Sequence, residues 1–129
     1  MFHTMIAAGN LGRDPEMRYT GDGQTVTNFP LACNRQYTNA AGQTVKETIW
    51  FRISVWGKQA EVCNQYLHKG SKVLVEGRLN PDPNTGAPRV WESNGRHGAS
   101  YEIVASTVRF MSAKEAEAED DAPEEEQVF

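Results

Sequence analysis

Between Thr48 and Lys58 the chain reads TIWFRISVWGK, and this alternation leaves little choice of local structure. A period of two puts Phe51, Ile53 and Val55 on one side of an extended strand and Trp50, Arg52, Ser54, Trp56 and Lys58 on the other. The first side is a core face. The second faces water, yet it carries two indoles interleaved with cations.

The flanking sequence extends the pattern. Residues 3–11 (HTMIAAGNL) read as a first strand whose small residues and glycine permit a bulge or a close backbone approach. RDPEMRYTGDGQTV is turn-rich, and its Asp-Gly pair signals a hairpin. A second strand runs from about Thr25 to Tyr37, with Phe29 and Leu31 inward and Pro30 marking an edge or bend; NAAGQ then turns into a third strand, Thr44 to Trp56.

The apolar period lengthens after Trp56. In KQAEVCNQYLHKG, Ala60, Cys63, Tyr66 and Leu67 share a helical face, with Lys69 near its end and Gly70 as the C-cap. SKVLVEGRL is a fourth strand with Val73, Val75 and Leu79 inward and Lys72, Glu76 and Arg78 outward. Beyond the Pro/Gly-rich NPDPNTGAP, the segments RVWES and ASYEIVASTVRF supply an extended hairpin arm and a final strand. The order predicts an all-β fold: a five-stranded Greek-key barrel of the OB type with one short helix between strands 3 and 4.

Length and charge divide the chain unequally. Its 129 residues suit one domain, and the net charge of −4 hides an asymmetry. Residues 1–112 hold 12 Lys and Arg against 9 Asp and Glu, a net of +3, whereas residues 113–129 hold one Lys and 8 acids, a net of −7. The expected organisation is a barrel domain at 1–111 and a disordered acidic C-terminal tail at 112–129, too poor in apolar residues to offset its ordering entropy. Cys33 and Cys63 lack metal-ligand spacing and are expected to be reduced thiols. No apolar run approaches the roughly 20 residues that span a bilayer, and the start lacks a leader pattern, so a cytoplasmic protein is expected.

A small basic body that exposes aromatics needs something to cover them. Trp50 and Trp56 stand about 20 Å apart along one strand at roughly 3.3 Å per residue. Tyr37 lies beside Arg35 on a neighbouring strand, and Trp91 follows Arg89 on the arm, so one theme recurs on three segments. Unstacked bases can lie on such rings while cations neutralise phosphates, a combination suited to single strands. An RNA-binding or oligosaccharide-binding module of the same fold, and burial of the rings in a subunit interface, are the alternatives. His3, His68 and His97 lack partners at ligand spacing, and GDGQTV is a turn rather than a phosphate cradle. No enzyme activity, cofactor or metal is expected.

The blocks GNLGRDPEMRYTGDGQTVTNF and ETIWFRISVWGKQAEVCNQYLHKGSKVLVEGRL, with the acidic end closing on Phe129, resemble the bacterial single-stranded DNA-binding proteins over nearly all of residues 1–111. The resemblance implies an OB-fold subunit, assembled as a homotetramer, that coats single-stranded DNA without sequence specificity during replication, recombination and repair in the cytoplasm, associated with the nucleoid. Carried over by motif, Trp50, Trp56, Tyr37 and Trp91 resemble the stacking aromatics, and Arg18, Arg52, Lys58 and Lys69 the phosphate contacts. Arg35, Arg78 and Arg89 join these by their closeness to the aromatics. Asp120, Asp121, Glu124, Glu125, Glu126, Val128 and Phe129 resemble the bait that recruits replication and repair enzymes. The chain departs from the family pattern twice: NPDPNTG replaces basic residues after the fourth strand, and the tip EEEQVF lacks the usual proline.

Overall fold

The computed structural model describes residues 1–111; the tail expected at 112–129 lies outside the described residues. Seven strands and one helix follow in the order β1 (Met5–Leu11), β2 (Glu16–Tyr19), β3 (Thr25–Thr38), β4 (Thr44–Trp56), α1 (Lys58–Tyr66), β5 (Lys72–Leu79), β6 (Arg89–Ser93) and β7 (Arg96–Phe110). Five of them, in the spatial order β1-β5-β7-β4-β3, form a barrel that closes where β3 returns to β1 through the pairs Asn10↔Ala32 and Leu11↔Leu31. All ladders are antiparallel except β4–β7, where the intervening α1, β5 and β6 form the long crossover that a parallel pair requires.

The alternation of β4 is realised as expected. Phe51, Ile53 and Val55 are buried together with Phe29, Leu31, Val73, Val75 and Ile103, while Trp50, Arg52 and Trp56 face out. Each fully buried aliphatic or aromatic side chain in this set contributes about 1.5–3 kcal/mol relative to exposure. At the closing seam a Cβ on Gly9 would overlap the Ala32 carbonyl, so only glycine lets the two backbones approach. Gly57 (φ 76) turns the chain from β4 into α1 through backbone that other residues rarely adopt. The helix then plugs one end of the barrel with Ala60, Cys63 and Leu67, and the Thr27 hydroxyl donates a 2.7 Å hydrogen bond to the Ala60 carbonyl.

Four local expectations are corrected. RDPEMRYTGDGQTV contains a true strand, β2, paired with Thr25–Asn28; four residues are too few for alternation to register. Tyr66 is exposed because it lies about 120° around the helix from Ala60 at ~100° per residue, off the buried stripe. The helix ends with Leu67 in extended backbone, so Gly70 belongs to the following turn and is not the cap. On β5, Lys72 is only 7% exposed and Leu79 lies outside the core. A register shift at Glu76/Gly77 carries the strand end past the rim, where the Leu79 N–H donates to His3 Nε2.

Both thiols are free. Burial pushes Cys33 and Cys63 each up to about 11. Among the described residues no helix is long and apolar enough to cross a membrane.

Candidate nucleic-acid interface

The outward side of β4 sits in the middle of a curved sheet, and register fixes its neighbours. Trp56 stands opposite Val26, which stands opposite Arg18 of β2. Ser54 is flanked by Asn28 on one side and Val104 on the other, with Arg78 beyond Val104. Arg52 lies between Pro30 and Glu102, and Trp50 opposite Ala32. The Ser54 hydroxyl donates to Asn28 Oδ1 at 2.8 Å, so the two polar groups at the centre of this surface hold each other.

The β6–β7 arm rises over this sheet. Its two-residue tip, Asn94 (φ 52) and Gly95 (φ 78), fits the left-handed turn that tight hairpins use. Trp91, on the arm, stands opposite Gly98, and its ring lies against that glycine. Trp50 likewise rests on Gly12, in the bend after β1. Trp50, Trp56 and Trp91 are 53%, 44% and 48% exposed, so each indole has one part held by protein and another open to solvent.

Two hollows of about 480 Å³ and about 570 Å³ run between the arm and the sheet. They share Arg18, Asn28, Arg52, Trp91 and Ser100, which makes them lobes of one groove. One lobe continues to Trp56, Asn80 and Arg89, the other to Trp50, Arg13 and Tyr101. Among the described residues, the side chains of Arg18 and Arg52 have no ion-pair or hydrogen-bond partner. Arg89 is more engaged: its Nε lies 3.5 Å from Glu102 Oε1, though without the alignment of a hydrogen bond. Glu16, Asp82 and Glu102 also line the groove, so its four arginines leave a small positive excess beside the open rings, which suits a ligand that is flat in one part and anionic in another.

The groove thus gathers Trp50, Trp56, Trp91, Arg18, Arg52 and Arg89, with Arg78 two strands away on the same outer surface. Lys69 lies in the turn whose backbone bonds Asp14, and Gly70 beside it bonds Leu11, close to the seat of Trp50. Lys58 opens instead onto a separate apolar hollow of about 460 Å³ with Gln59, Val62, Val108 and Phe110. Arg35 and Tyr37 are not brought to the groove. They pair with Glu47 and Val45, an odd number of positions from the Trp50↔Ala32 pair, and so occupy the opposite face of the β3–β4 ribbon. There Arg35 bonds Glu47 at 3.2 Å and lies 4.9 Å from the Tyr37 ring centre. Asp120, Asp121, Glu124, Glu125, Glu126, Val128 and Phe129 lie outside the described residues.

The sequence alone does not single out Arg13, Asn28 or Tyr101 as groove residues. Tyr101 shares the parity of the core residue Phe51, whose ring centre is 6.0 Å away, yet it emerges at the rim. Gly12 and Gly98 leave no periodic signal either. Among the described residues no cluster of His, Cys, Asp or Glu can hold a metal ion.

Comparison with known proteins agrees with this fold. Residues 2–111 match the Single-strand binding protein family. The chain is 41% identical over 125 residues to the single-stranded DNA-binding protein of Thermotoga maritima, covering 96% of this chain and 84% of that one. It is 40% identical over 114 residues to single-stranded DNA-binding protein 1 of Chlorobaculum tepidum, covering 87% of this chain but only 66% of the relative. Its fold is similar to the crystal structure of a deletion mutant of the single-stranded DNA binding protein from Thermus aquaticus, with a TM-score of 0.67 and 28% identity over 86% of this chain and 51% of that one.

Proposed function

The chain belongs to the Single-strand binding protein family, and on that premise we propose that it binds single-stranded DNA without sequence specificity, acting by coverage and not by catalysis. One observation carries this reading: three half-open indoles border a single groove whose central cations, Arg18 and Arg52, lack partners within the described residues. Bases stack on Trp50, Trp56 and Trp91 at about 1–3 kcal/mol each, and the guanidinium groups follow the phosphates. Duplex DNA keeps its base faces stacked inward and offers the rings nothing. Titrating intrinsic tryptophan fluorescence with poly-deoxythymidine, and competing with matched RNA and duplex, tests it. Strong quenching by the DNA single strand and weak competition by duplex are expected; equal competition by duplex would refute it.

The wider role follows the same premise. The protein protects exposed single strands during replication, recombination and repair in the cytoplasm. Its residues 112–129 recruit partner enzymes through the acids from Asp120 to Glu126 and the terminal Val128-Phe129 pair. Assembly is as a homotetramer, for which β1 offers support: from Met5 to Gly9 its ladder partners within the described residues are confined to β5, and Ile6 beside that edge is exposed. An unpaired edge invites a second copy, and closed symmetry satisfies it. Light scattering at micromolar concentration distinguishes the tetramer from a monomer or dimer.

A further inference from the structure

Two of the three indoles lie directly on glycines. At Gly98 a Cβ would overlap the Trp91 ring at Cζ2 and come within 2.9 Å of Cη2. At Gly12 it would stand 2.5 Å from Cζ3 and 2.8 Å from Cη2 of Trp50. Ordinary carbon contacts begin near 3.5 Å, so any side chain at either position displaces the ring above it. Neither glycine has a positive φ, in contrast to Gly57 and Gly95, and the backbone itself therefore accepts alanine at both. Gly98 lies inside β7, where glycine is the less stable choice. Local conformation does not account for these two residues; the rings do.

We infer that Gly12 and Gly98 are positioning residues for base stacking: each is a seat that lets an indole settle against the backbone at the depth and tilt that leave its other side open to the groove. Gly98 has the larger consequence. Trp91 is common to both lobes of the groove, and the seat holds its ring against the neighbouring strand of the arm, between the lobe that reaches Trp50 and the lobe that reaches Trp56. A ring lifted from either seat keeps its apolar area but loses the orientation that stacking needs. This inference rests on the proposed binding of single strands, and the test separates the two.

The experiment compares Gly12→Ala, Gly98→Ala, Trp50→Ala, Trp91→Ala and the two seat-plus-ring double variants in the full chain. It reads affinity for a thymidine homo-oligomer, the emission maximum of the free protein, and Tm. Each glycine variant should bind about tenfold more weakly, the equivalent of one compromised stacking contact. Its free emission should shift to the red, and its Tm should hold or rise. In the Trp50→Ala background Gly12→Ala should cost nothing further, and likewise Gly98→Ala in Trp91→Ala, because a seat acts only through its ring. If the tryptophan variants bind weakly while the glycine variants stay within about twofold of the parent, a change worth under half a kcal/mol, the seats are refuted and the binding reading stands. A lower Tm with additive losses in the double variants would make the glycines structural and also overturn the inference. Tryptophan variants that bind normally would sink the binding reading itself.

Discussion

The outer face of β4 and the far end of the β3–β4 ribbon are built from the same residue types and do different things. On β4, Trp50, Arg52 and Trp56 present two half-open rings, one of them seated on Gly12, and a cation without a partner in the described residues. At the ribbon end, Arg35 pairs with Glu47 and also lies over the Tyr37 ring, which stays 39% exposed, so the cation there is already engaged by an acid and a ring. The cause is parity and not composition. Thirteen uninterrupted register pairs join β3 to β4, so an odd offset places Arg35 and Tyr37 on the reverse side of the ribbon. An aromatic beside a cation in sequence stays available to a ligand only where the fold leaves the cation without a partner of its own.

The comparison breaks most readily at its aromatic half. Replacing both Trp50 and Trp56 by alanine should weaken single-strand binding by about 2–6 kcal/mol if the two stacks are independent, whereas Tyr37→Ala should cost under about 1 kcal/mol. Equal losses measured by fluorescence or filter binding would erase the distinction between the faces. Next comes charge. Arg52→Ala should lower the magnitude of the log-log salt slope by about 0.7, one phosphate's worth, while Arg35→Ala should leave it nearly unchanged because Glu47 already offsets that cation. Releasing the paired cation sharpens the point: Glu47→Gln should tighten binding at low salt by about twofold and lose that gain at high salt. Its effect on folding should be small, since exposed ion pairs contribute about 0–1 kcal/mol.

A test of folding, separate from binding, concerns the thiols behind these surfaces. Burial raises Cys33 and Cys63 from 9.0 to about 11, so the folded state holds its thiol protons more tightly than the unfolded chain. The corresponding stability is fully present below pH 9.0 and is lost as pH rises through about 11. Denaturant midpoints should therefore fall between pH 8 and pH 10.5 (about one to two pH units either side of the unfolded thiol's titration), and less so in Cys63→Ala.

How much of this was legible in the sequence depended on how many neighbours a residue needs to declare itself. The β4 strand announced its ends, its core face and its aromatic face, because turn residues bound it and the alternation from Trp50 to Trp56 carries the signal internally. Tyr37 did not declare its side, since its relation to Trp50 runs through a hairpin register that the pattern of one strand cannot supply. The charge of Lys72 argues for an outward position; the flexible stem is nevertheless covered, its polarity confined to the tip. Gly12 and Gly98 were silent for a deeper reason. A seat is defined by the ring above it, and nothing local to a glycine says which side chain will arrive there.

The parallel β4–β7 ladder has a consequence in time. Phe51 meets Tyr101 and Val55 meets Ala105, partners fifty positions apart, while β1 waits for β5 across an even longer span, from Ala7 to Val75. Chain closure over such distances slows folding toward the millisecond-to-second range of non-local β topologies, far from the microseconds of helical bundles. A ribosome adding roughly 5–20 residues each second therefore leaves the β3–β4 hairpin without β7 for several seconds. Throughout that interval Phe51, Ile53 and Val55 lack their cover from Ile103 while the indoles already protrude on the other side. The nascent hairpin is sticky on both faces, and it is the hazard that a chaperone would meet first.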